Sequence, residues 1–236
     1  MVDMNMDIDE TIGVTFAESH FPEVRELMYQ TINLGFFSPP SVELLKAIIE
    51  EQLFESLPLE IKREGFQQGR ALLRAWFASL DERNLEDRVA QLNEDYNKLF
   101  VDPCQLLAPP WESVYRTEER ATADLTTLKV REFYGRHGLA YVLKHKEPED
   151  HYSVELEFMA ELIRRQSYYL RTGIVKEALY LFKEQQRFLE EHLLKWSLDF
   201  TLSVIQNAHT EYFQGMALLA HEFLMWDYDL LTRKGS

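Results

Sequence analysis

The chain is short of the residues that punctuate folds and of those that carry redox or phosphate chemistry. Nine Gly and eight Pro among 236 residues make about 7% where an average chain has roughly 12%, a deficit that argues against many short strands and turns. The one cysteine, Cys104, cannot close an internal disulfide. Basic residues are also scarce: 25 Lys and Arg against 40 Asp and Glu leave a formal net charge of −15. No Lys/Arg cluster offsets this locally, so phosphate backbones and anionic membrane surfaces are repelled, and nucleic acid is excluded as a partner. No apolar run approaches the roughly 20 residues that span a bilayer, which excludes stable membrane insertion. The start, MVDMNMDIDE, has no basic segment followed by an apolar one, so the chain reads as soluble and cytoplasmic. A Gly-rich phosphate loop, a Walker sequence, a GxSxG elbow, HExxH and CxxC are all missing, and with them any recognisable catalytic machinery.

What is present is a globular composition, 46% hydrophobic and 13% aromatic, arranged with helical period. Residues 1–20 read as a flexible acidic start. Apolar positions at threes and fours predict helices from Pro22, from Ser41 as an N-cap, from Pro58 and over 85–100. Val101 to Tyr115, with three prolines, reads as an extended, rigid loop rich in large side chains. A helix over 119–137 closes at Gly138, and helices resume at 151–172, 175–191, 193–208 and 210–230. The chain therefore reads as all-α. Residues 139–150 change composition and contain Pro148, which marks a hinge between an N-terminal lobe, 21–138, and a C-terminal lobe, 151–236. Such a hinge permits either a monomer or a homodimer formed by domain exchange.

Three stretches carry the candidate chemistry. In EPEDHYSVELEFM (147–159) a Pro-locked turn delivers Asp150 and His151 to the start of an amphipathic helix, where Asp150 suits an N-cap. His151 and Glu155 stand four apart on one face, a spacing for an ion pair or for two ligands of a metal-assisted hydrolase. In APPWESVY (108–115) two prolines stiffen a chain that carries Trp111, Glu112, Ser113 and Tyr115, either as a packed loop or as rings held open to a ligand. In FLEEHLLKW (188–196) His192 and Trp196 fall on one helix face. Cys104 has no neighbouring base or cation to activate it.

These blocks, with YNKLFVDP (96–103), resemble the TorD/DmsD/NarJ family of cytoplasmic chaperones for molybdenum oxidoreductases, over residues 25–225. The resemblance implies an all-helical two-lobed protein that is not an enzyme and has no cofactor of its own. It implies binding of the twin-arginine signal peptide, or an equivalent N-terminal segment, of a precursor reductase until its molybdopterin cofactor is inserted, before export by the Tat pathway. Pro148, Asp150 and His151 match the hinge positions that the family associates with signal-peptide recognition. Leu99, Phe100, Trp111, Ser113 and Tyr115 match the neighbouring blocks. Asp102 stands before Pro103 where many members have Gly. A basic, apolar leader needs carboxylates beside an apolar groove, and Asp150, Glu112 and Glu147 are the candidate carboxylates. An acidic helical scaffold without leader specificity is the remaining alternative.

Overall fold

A computed structural model describes residues 21–102, 106–116, 120–141 and 148–232. The acidic start, Cys104 and Glu147 lie outside the described residues. Among the described residues there are ten α-helices and no strand, as the helical periodicity predicts. They are α1 (Phe21–Asn33), α2 (Val42–Glu50), α3 (Glu64–Ala78), α4 (Leu85–Tyr96), α5 (Glu112–Arg116), α6 (Arg120–Arg136), α7 (Tyr152–Arg171), α8 (Val175–Glu191), α9 (Ser197–Asn207) and α10 (Glu211–Thr232). One π-helical turn, Asn97–Val101, continues α4, and a 3₁₀ turn, Leu193–Lys195, precedes α9.

Local chemistry sets most of the ends. Ser41 holds an extended backbone and its hydroxyl accepts from the Leu44 N–H at 3.2 Å, satisfying a donor the helix leaves orphaned. Gly138 and Gly173 end α6 and α7 at φ +67° and +74°, a left-handed conformation that costs glycine nothing. Three expectations change. Pro58 opens no helix: Leu57, Leu59 and Ile61 are buried in alternation with exposed neighbours, the period of an extended segment, and α3 begins at Glu64. The 101–115 loop gives way to helix at Glu112. Asp150 does not cap its own helix: His151 does, its Nδ1 accepting from the Ser153 N–H at 3.1 Å.

Helix α3 packs along α10, α1 along α7, α7 against α8 and α9 against α10. Apolar side chains from Met28 to Leu231 join in one cluster. Backbones of α3 and α10 approach closely at Gly69 and Gly215, where a Cβ on Gly69 would stand 2.9 Å from the Gly215 carbonyl oxygen and 2.9 Å from Leu218 Cβ. Backbone cannot yield as a flexible side chain does, so Gly69→Ala is expected to cost at least ~1 kcal/mol, against the small gain alanine brings to an open helix site. Urea unfolding measures this, and an unchanged midpoint would refute the close approach. At the start of α10, the Asp95 carboxylate accepts from the backbone N–H of His209 at 3.0 Å and of Thr210 at 2.8 Å, tying α4 to the turn before α10.

Candidate functional site

The three motif stretches meet in one buried polar knot. The Glu112 N–H donates to the Asp150 carbonyl at 3.0 Å and the Tyr152 N–H to the Pro110 carbonyl at 2.8 Å, a single antiparallel bridge between Trp111 and His151. The Asp150 carboxylate accepts from the Ser113 N–H at 2.9 Å and from the Thr127 hydroxyl at 3.0 Å. It therefore satisfies the start of α5 from across space. Glu112 is bound by Arg116 and, at 3.1 Å, by His192 Nδ1. Glu155 accepts from the Trp196 indole N–H at 3.2 Å. Asp150, Glu112 and Glu155 are all fully buried. Burial first, and then the neighbouring charge of Glu112, hold the Glu155 carboxyl well above the ordinary carboxylate range.

This arrangement uses its polar atoms to hold chain together. Leu99 and Phe100 belong to the core, Phe100 stacked edge-on against Phe36 and Tyr96, and neither faces solvent. Trp111, Ser113 and Tyr115 are half-buried, and Pro148 is exposed. The Tyr115 ring lies 5.6 Å from that of Trp196, and burial pushes its hydroxyl up to about 12. His151 and Glu155, the pair considered for a metal, are engaged separately, with Ser153 and Trp196. Among the described residues no group of three or more His, Cys, Asp or Glu is placed to hold a metal ion.

A hollow of about 530 Å³ opens beside the knot, lined mostly by charged side chains including Arg116, Lys129, Glu132 and Arg136; an open volume with an apolar floor lies elsewhere. Between α1, α2 and α7 runs a groove of about 580 Å³ with a floor of Leu34, Leu44, Leu156 and Ala160 and with Phe37, 36% exposed, on its wall. Its polar lining includes three carboxylates, Glu26, Glu157 and Glu161, and one guanidinium, Arg164. Partial burial, together with the charges of Glu161 and Glu23, holds the Glu26 carboxyl above its ordinary value against the pull of Arg164. A cation arriving there relieves that repulsion. Of the ten residues expected from sequence, none of the nine that are described lines this groove. It includes part of the 147–159 stretch nonetheless, because Leu156 and Glu157 stand on the α7 turn after Glu155. The sequence holds one faint signal for it, the Phe36-Phe37 pair before Pro39-Pro40: one ring is core and the other is left outside.

A family model described as nitrate reductase delta subunit matches residues 62–202. The chain is similar to the probable Tat proofreading chaperone DmsD of Haemophilus influenzae, 29% identical over 153 residues, which cover 64% of this chain and 66% of that protein. It is similar to the chaperone protein TorD of Vibrio vulnificus, 26% identical over 193 residues, covering 79% and 88% respectively. It is also similar to the Tat proofreading chaperone DmsD of Salmonella typhimurium, 25% identical over 202 residues, covering 84% and 86%. No helix among the described residues is long and apolar enough to cross a membrane.

Proposed function

We propose, from the premise that this chain belongs to the nitrate reductase delta subunit family, that it is a chaperone holding the twin-arginine leader of a molybdopterin-dependent oxidoreductase. The leader stays bound until the cofactor is inserted, and export waits on its release. The names of the relatives support the chaperone role, and one structural observation supports the leader: the groove between α1, α2 and α7 pairs an apolar floor with three carboxylates against one guanidinium. That is the complement of a segment with a basic start and an apolar continuation. The buried knot of Asp150, Glu112 and His192 has a different part in this reading. It fixes the 106–116 segment to the start of α7 and so sets the position of the helix that forms one groove wall. Residues 139–150 are the proposed hinge between the N-terminal and C-terminal lobes.

Calorimetry with a synthetic twin-arginine leader peptide tests the reading. Phe37→Asp puts a charge on the groove wall at a partly exposed site and is expected to weaken binding at least tenfold without lowering the melting temperature. Raising salt is expected to weaken the wild type as well, since steering and pairing of the arginines are screened. A peptide that binds Phe37→Asp as tightly as the wild type places the leader outside this groove. Absence of binding to the wild type rejects the function.

A further inference from the structure

Helix α7 carries Glu157 and Glu161 four residues apart, hence on one face. Both border the groove on one side, and both also border a second recess on the other. That recess, about 160 Å³ and open to solvent, lies where α6 ends against α7 and is walled by Tyr134, Leu139, Tyr141, Val154 and Phe158. A dry engineered cavity of about 150 Å³ accepts benzene, so the recess matches one ring or one branched aliphatic side chain. The two carboxylates thus form an acidic ridge between two apolar hollows. Glu161 is held by Arg164 and Arg165 at 2.7 and 2.6 Å. Exposed pairs on one helix are worth only about 0–1 kcal/mol, so an incoming guanidinium exchanges with them at little cost.

We infer that the guest segment straddles this ridge. Its basic residues lie over Glu157 and Glu161, its apolar stretch fills the groove towards α1 and α2, and a single apolar side chain on the opposite flank of the basic residues enters the recess. A helix with its side chains is about 10 Å across, and an extended chain advances about 3.3 Å per residue. Crossing the ridge therefore takes about three residues, so the side chain in the recess stands about three positions from the first one in the groove. The inference rests on the proposed leader binding and adds a second anchor, which selects among leaders by the residue beside the arginines.

Ala140 lines the recess, is exposed and does not line the groove. Ala140→Trp fills the hollow, and Ala140→Leu fills it with less bulk. Titrated calorimetrically with a synthetic twin-arginine leader, both are expected to bind at least tenfold more weakly than the wild type, Trp more so than Leu. Salt dependence is expected to stay as in the wild type, because no charge has changed. A leader with its recess-side apolar residue replaced by Ser is expected to bind wild type and Ala140→Trp alike, closing a double-mutant cycle. Unchanged affinity of both Ala140 variants, with Phe37→Asp still weakened, overturns the second anchor and leaves the groove reading standing. Failure of the wild type to bind any leader overturns both.

Discussion

Asp227→Ala is expected to lower unfolding free energy by about 3–5 kcal/mol, the usual cost of stripping one partner from a buried ion pair. Arg25 is 2% exposed and Asp227 fully buried. Arg25 Nε donates to Asp227 Oδ1 at 2.5 Å and Nη2 to Oδ2 at 2.9 Å, and the Tyr29 hydroxyl also donates to Oδ2, at 2.8 Å. Arg25 Nη1 reaches Gln185 at 2.8 Å, and Gln185 reaches Gln166 at 2.9 Å. Four helices, α1, α7, α8 and α10, are thus tied through one guanidinium, and the alanine leaves it charged, buried and short of its counterion. The double variant Arg25→Met/Asp227→Leu removes both charges and is expected to recover most of the loss, since the pair's attraction mainly offsets its own desolvation. Urea unfolding of the three proteins checks this. A single-variant loss below about 1 kcal/mol would mean that water reaches the pair.

The second large effect is a gain. Glu155 is an acid whose folded-state proton affinity is raised by burial and by Glu112, so the native state keeps a proton that the unfolded chain has released. Stability contributed by this group is whole at pH below the ordinary carboxylate range and is lost as pH rises towards the raised folded value. Glu155→Gln keeps the shape and removes the titration. It is expected to be close to wild type near pH 4 and more stable near pH 7.5, by about 2–3 kcal/mol, the upper part of the usual penalty on a poorly matched buried polar group. Melting curves taken across that range decide it: profiles that run parallel for the two proteins would mean that Glu155 ionises normally when folded.

Helix boundaries were legible because their causes are local. Ser41, Gly138 and Gly173 act within a turn of themselves, and the 175–191 helix was readable from its apolar spacing alone. Leu57, Leu59 and Ile61 also carry a local signal, a period-two alternation across Pro58. The motif blocks were legible as special, but not in which long-range contacts their side chains make. Asp150 reads as an N-cap or an arginine receptor, yet its oxygens are taken by Ser113, 37 positions earlier, and Thr127, 23 positions earlier. Glu112 turns inward to His192, 80 positions later.

The amino-acid sequence by itself determined that this protein is all-α, where several of its helices end, and which family it resembles, since period, caps and short motifs are properties of neighbours along the chain. The tertiary structure alone decided which carboxylates are buried and which face water, that Gly69 meets Gly215, and that a groove with an apolar floor lies beside α1 and α2. Burial and charge environment depend on side chains brought from up to 202 positions away, and nothing within one helical turn encodes which of them arrive.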